Sequence, residues 1–226
     1  MIAAVVAQGD YIGGVMTNRL RALTVCAAAF LLTACKTESG PALTALPFTD
    51  DFGSPQSGWT ISSDLSGDVK YDAGQLRILV KNENFTIWST ANKLFKDAVY
   101  EVDAQPVGGP TDNGFGVLFR VKDRQNFYHF EISSDGYWRA GLMKEGKWQN
   151  WADWLQHPAI KADGTSNRIK ISMKGDKIDY FVNDTLITSR TDADFPSGDV
   201  GVFALTVIDN AGTDVAFDNV SITAAP

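Results

Sequence analysis

The sequence predicts an all-β domain built as a two-sheet antiparallel sandwich, and three observations carry that expectation. From Phe48 onward, runs of about 6 to 9 residues that alternate or are wholly apolar recur between turn signals. No stretch sustains the 3.6-residue apolar period of a helix longer than a turn or two. The intervening segments DAGQ, KDRQ, SSDG, EGK, KGDK, VND and DNAG are rich in residues that tolerate turn geometry. About a dozen short strands in roughly 180 residues suit two packed sheets that share one core.

In chain order the expected strands are FTDDF from Phe48, DVKY from Asp68, QLRILVK from Gln75, FTIWST from Phe85 and AVYEVDAQ from Ala98. GFGVLFRV from Gly114, NFYHFEIS from Asn126 and YWRAGLMK from Tyr137 follow, with turns short enough for consecutive hairpins. RIKISMKG from Arg168, KIDYFVN from Lys177, TLITSR from Thr185, DVGVFALTV from Asp199 and VAFDNVSIT from Val215 complete the set. With 226 residues, 44% of them hydrophobic, the chain has enough material for one sizeable core. A net charge of -7, spread along the chain, argues against phosphate backbones, so nucleic acid is not an expected partner.

The N-terminus reads differently. After Met16, which makes a better initiator than Met1, a basic TNRLR precedes the apolar run from Ala22 to Thr33 and then LTAC, ending at Cys35. About 12 apolar residues are too few to cross a hydrocarbon core that needs ~20, so residues 1–34 read as a cleaved signal peptide. LLTACK resembles the lipobox of bacterial lipoproteins, and the resemblance implies diacylglyceryl transfer to Cys35 and anchoring in a lipid bilayer. A plain secretory signal would instead leave Cys35 as a lone thiol in an oxidising compartment. Because Cys26 leaves with the signal, no disulfide is expected. Residues 35–46 form a short tether, residues 47–224 the folded domain, and Lys36 after the cysteine favours the outer membrane of the cell envelope.

DDFGSPQSGW, DNGFGVLFR, NFYHFEISSDGYWR, FPSGDVGVFA and VAFDNVSI resemble the concanavalin A-like, laminin G-like jelly-roll modules of bacterial surface proteins and the related 3-keto-disaccharide hydrolase domain. The resemblance spans Leu46 to Thr223 and implies a jelly roll whose first and last strands lie side by side. Asp50 and Asp51 would then approach Asp218 and Asn219, an oxygen cluster that suits a structural calcium, against the plainer reading of solvated edge-strand charge. No other cofactor is expected.

Strand parity sorts the polar residues inside apolar runs, because successive side chains alternate faces. Phe115, Val117, Phe119 and Val121 point inward, leaving Gly116, Leu118 and Arg120 outward. Tyr128, Phe130 and Ile132 point inward, leaving Phe127, His129 and Glu131 outward; Trp138, Ala140 and Leu142 point inward, leaving Tyr137 and Arg139 outward. Arg120, His129, Glu131, Tyr137 and Arg139 are thus expected on one outer surface. The resemblance makes that surface the concave one, across which sugar ligands lie. The bland alternative is a wet face whose Arg/Glu pairs are ordinary cross-strand partners worth ~0.2 to 1 kcal/mol.

KWQNWADWLQHP packs Trp148, Trp151, Trp154, Asp153 and His157 into a segment read as a rim loop. One or two of the tryptophans are expected in the core, with Trp151 lining the groove beside Asp153, and the loop 107–113 forming the opposite rim. For catalysis, EVDAQP begins the Glu-x-Asp-x-x-Glu pattern of retaining glucanases on the resembled fold, but Pro106 stands where the second carboxylate belongs. The expected function is therefore non-catalytic binding of a glycan by a monomeric envelope lipoprotein. The alternatives are sugar chemistry of the 3-keto-disaccharide hydrolase type, with Glu131 as acid or base and Arg120 orienting the substrate, and an envelope protein–protein interaction module.

Overall fold

The computed structural model describes residues 42–162 and 164–226. Among them run fifteen strands: β1 (Phe48–Asp50), β2 (Ser62–Ser63), β3 (Gly67–Asp72), β4 (Gln75–Val80), β5 (Thr86–Thr90), β6 (Ala98–Gly108), β7 (Gly114–Asp123) and β8 (Asn126–Ser133). The remainder are β9 (Tyr137–Lys144), β10 (Lys147–Gln156), β11 (Asn167–Lys174), β12 (Lys177–Val182), β13 (Thr185–Thr191), β14 (Asp199–Leu205) and β15 (Thr213–Ala224). They form two antiparallel sheets. The larger has the order β13-β12-β11-β6-β15-β4-β3-β2 with β1 also on β15, and the smaller the order β10-β9-β8-β7-β14-β5. Neighbours distant in sequence, such as β6 with β15 and β7 with β14, are the crossovers of a jelly roll.

Alternation explains the core. Leu76, Ile78 and Val80 of β4, Tyr100 and Val102 of β6, and Ile169 and Ile171 of β11 are buried on one side of the larger sheet. Across from them lie Phe115, Val117, Tyr128, Phe130, Ile132 and Leu142 of the smaller sheet, in one apolar cluster. Each such side chain contributes about 1.5–3 kcal/mol of burial. The outer face of the larger sheet follows the polar half of the pattern. There Arg168 pairs with Glu101 and Asp103 at 3.1 Å each, and Lys170 lies 3.4 Å from Glu101.

The smaller sheet departs from simple alternation at two places. The β7–β8 register breaks between Phe119 and Asp123, and Arg120 has a φ of 49°, the geometry of a bulge that turns two successive residues to the same side. Arg120 therefore does not share the outer surface with Glu131, as parity had it. Its side chain, 1% exposed, runs inward, and Nη2 donates to the Gly175 carbonyl at 2.7 Å in the β11–β12 turn of the opposite sheet. Burial, opposed by the nearby Tyr128, Asp97 and Tyr180, lowers its pKa from the ordinary guanidinium value. Val121, expected inward, packs instead on an outer cluster with Leu118, Phe127, Phe203 and Leu205.

The second departure is β10. The segment read as a rim loop is a strand paired with β9, with register shifts at Asn150/Ala152 and Ala152/Leu155. At the first of these shifts Trp151 turns to the core side, with ring centroids 5.7 Å from Tyr128 and 6.3 Å from Tyr180, and with Arg190 over its ring. The expectation that Trp151 lines the groove is thus corrected; Trp148 and Trp154 take that side. Crowding at the β7 bulge offers a direct check. Gly198 exchanges two 2.9 Å backbone hydrogen bonds with Phe95, and a Cβ there would stand 2.2 Å from the Arg120 carbonyl carbon. Gly198→Ala is expected to cost about 1–3 kcal/mol, read as a lowered midpoint in thermal or urea denaturation.

Candidate functional site

The outer face of the smaller sheet is a groove with a largely buried floor. Phe127 sits between Trp88 of β5 and Trp148 of β10 in edge-to-face contacts at 5.0 and 5.8 Å, and the His129 ring lies 4.9 Å from Trp148. Glycines leave space for the polar side chains. A Cβ at Gly141, the cross-strand partner of His129, would stand 2.9 Å from His129 Nε2. One at Gly114 would stand 2.6 Å from Glu131 Oε2. Side chains at these positions would displace the two ionisable groups from the floor.

Glu131 and Arg139 face each other directly across β8 and β9. Arg139 Nε donates to Glu131 Oε1 at 2.6 Å, and His129 Nδ1 lies 3.4 Å from the same oxygen, long for a hydrogen bond. Glu131 is fully buried, whereas Arg139 is 20% exposed. Burial alone would raise the Glu131 carboxyl, but the adjacent His129 and Arg139 outweigh it and hold the group below its usual range. The Arg139 guanidinium stacks over the Trp154 ring at 4.8 Å, and Asp153 Oδ1 stands 3.8 Å from Nη1.

Three hollows run along this face. One, of about 580 Å3, is lined by Trp88, Phe127, Met143 and Trp148 with Asp64 and Arg124 at its margin. Thr86 and Trp148 join it to a central hollow of about 630 Å3 that includes Asn84, Arg139, Asn150 and Thr206. Val207 joins that in turn to a third, of about 280 Å3, lined by Tyr137, Trp154, Asp112 and Asp135.

Of the residues singled out by parity, His129, Glu131, Tyr137 and Arg139 do share this face, and Asp153 stands exposed at its edge. Arg120 and Trp151 lie on the other side of the sheet. Trp88, Thr86, Asn84 and Asn150 were not singled out, although FTIWST carried a signal: with Ser89 buried and Ile87 packed inward, alternation sends Thr86 and Trp88 outward.

Of the calcium candidates, Asp50, Asp51 and Asn219 border one hollow together with Arg168, and each makes hydrogen bonds within the protein. β1 does pair with β15, Asp50 opposite Val220, but Asp50 accepts from Phe52 N and Trp59 Nε1, both at 2.9 Å. Asp51 accepts from Gly53 N, and Asn219 donates to Asp103 at 3.0 Å. Among the described residues no group of three or more His, Cys, Asp or Glu is gathered as a metal site.

The jelly-roll sandwich is a fold that this chain shares with several solved structures. Similar structures include the carbohydrate-binding module CBM66 from Bacillus subtilis, at 18% identity and a TM-score of 0.56, covering 74% of this chain and 96% of that one. The Bacillus licheniformis β-glucanase, at 12% identity and a TM-score of 0.60, covers 80% and 99%. A Bacillus subtilis protein with a galectin-like fold, at 12% identity and a TM-score of 0.59, covers 79% and 96%. At such identities the likeness establishes the fold. The chain itself belongs to the family described as the 3-keto-alpha-glucoside-1,2-lyase-like domain, whose model matches residues 47–223. No curated protein matches it.

The ion pair sets an acid limb of stability. Because the Glu131 pKa is depressed in the fold, its contribution is complete above the ordinary glutamate value of about 4.3 and is lost as pH falls through the lower folded value. Glu131→Gln is expected to flatten that limb in denaturation curves taken from pH 6 down to 2. At neutral pH it should cost on the order of 2 kcal/mol, below the figure for a fully buried pair because Arg139 reaches solvent.

Proposed function

We propose that the groove binds a glycan without cleaving it, and that the domain is displayed on the cell envelope, favouring the outer membrane, by acyl chains on Cys35. The observation that carries the first part is the line of Trp88, Trp148 and Trp154 along three joined hollows, with Arg139 and Asn150 between them. Tryptophan faces stack on pyranose rings while amide and guanidinium groups hydrogen-bond hydroxyls. Trp148 is 46% exposed, so part of its ring is available to a ligand. A hollow rather than a flat apolar patch favours a saccharide over a protein partner.

Glu131 supports the non-catalytic part of this reading. It is sealed under the floor, and its depressed pKa keeps it an acceptor with no proton to deliver near neutrality, the reverse of what a general acid needs. Membership in a lyase-like family supports a second reading, in which the same groove holds a 3-keto-glucoside for elimination. The two readings separate in one assay: calorimetry with a panel of neutral oligosaccharides, and incubation with 3-keto-glucosides followed by product analysis. Binding without turnover supports the first reading, product formation supports the second, and the absence of both overturns saccharide recognition.

The Cys35 anchor and its signal lie outside the described residues and rest on the sequence. Cys35→Ser is expected to release the protein from the membrane fraction and abolish incorporation of labelled acyl chains. Trp148→Ala is expected to weaken saccharide binding by at least about tenfold, in line with loss of one aromatic stacking contact, with the thermal midpoint reporting whether the fold survives.

A further inference from the structure

We infer that Arg139 is held as a charge-compensated donor, so that the groove selects uncharged saccharides and turns away uronates and sulfated sugars. This rests on the saccharide-binding reading and adds the ligand class. Arg139 is the cation of the central hollow, and a guanidinium is the side chain best suited to grip a carboxylate. Here it already holds one. Its Nε is committed to Glu131 at 2.6 Å, and Glu131 is wholly out of water, where its charge is poorly screened. Asp153, 70% exposed, lies 3.8 Å from Nη1 on the flank. The guanidinium carbon lies 4.8 Å from the centre of the Trp154 ring, which restrains the group where it lines the central hollow.

A ligand carboxylate placed on the Arg139 terminal nitrogens would gain the attraction of the guanidinium and meet the carboxylates of Glu131 and Asp153, with the buried His129 beyond Glu131. Asp112 and Asp135 line one neighbouring hollow, and the other is bordered by one residue of each sign, Arg124 and Asp64, so neither end adds a net positive charge. A hydroxyl loses nothing in this setting. It accepts from a terminal nitrogen and donates to Asp153 or to Asn150, and its dipole is indifferent to the net charge beneath. Glu131 and Asp153 thereby become specificity-determining residues, one by neutralising and positioning Arg139 from below and the other by guarding its flank.

The test is calorimetry on the full chain at pH 8 and low salt. The neutral probes are cellotetraose, maltotetraose and laminaritetraose; the acidic probes are tetragalacturonate and tetramannuronate. The native chain is expected to bind at least one neutral probe on the order of tenfold more tightly than either uronate. Asp153→Asn, a surface change that leaves the core untouched, and Glu131→Gln are each expected to raise uronate affinity by on the order of tenfold, with a gain that fades as salt is added. A purely structural role for Glu131 would weaken both classes together and leave their ratio alone. Uronate binding by the native chain as tight as neutral binding, or an unchanged ratio in Asp153→Asn and in folded Glu131→Gln, overturns the inference while saccharide recognition stands. Failure of every probe in both classes overturns the saccharide reading and this inference with it.

Discussion

The Glu131 carboxylate is the constraint around which the smaller sheet is arranged. Removing an isolated carboxylate from water costs several kcal/mol, and only a partner held in good geometry offsets that cost. The partner is Arg139, directly opposite on β9, so the β8–β9 register is fixed by an ion pair as well as by apolar alternation. The pair also dictates its surroundings. Gly114 must lack a side chain because Glu131 Oε2 fills the space, and Trp154 is held against the guanidinium by a strand that departs from regular register to place it.

The two sheets answer the same demand differently. In the larger sheet the outer face is wet, and its charges form cross-strand ladders among Glu101, Asp103, Arg168 and Lys170. In the smaller sheet both faces are buried at β8, where Phe127 through Ser133 are all out of solvent. An outer face that buries Phe127 and Phe203 in a second apolar cluster, yet keeps an arginine accessible, is not maintained by solvation alone. That asymmetry singles out the groove more sharply than any one residue does.

Much of this was legible in the chain. The two-sheet sandwich, thirteen of the strands in outline and the outward set His129, Glu131, Tyr137 and Arg139 follow from period-two alternation, and the jelly-roll class from the family resemblance. What escaped was local irregularity. Arg120 has no glycine or proline beside it to announce a bulge, so parity carried one residue too far and reversed both Arg120 and Val121. In β10 the polar Gln149, Asn150, Asp153 and Gln156 among three tryptophans read as loop, and the two register shifts sent Trp151 to the core while placing Trp148 and Trp154 in the groove. Parity is a running count, and a single extra residue corrupts everything after it until an independent contact resets the phase.

The shifts in β10 have a further effect at the border of the molecule. This strand ends the smaller sheet, and its free backbone groups could in principle be extended by another polypeptide. Two breaks within ten residues leave no long straight row of donors and acceptors to copy, so a neighbouring molecule finds poor footing there. The same irregularity that aims two indoles at a ligand thus deters the strand-by-strand stacking that would seed fibrils.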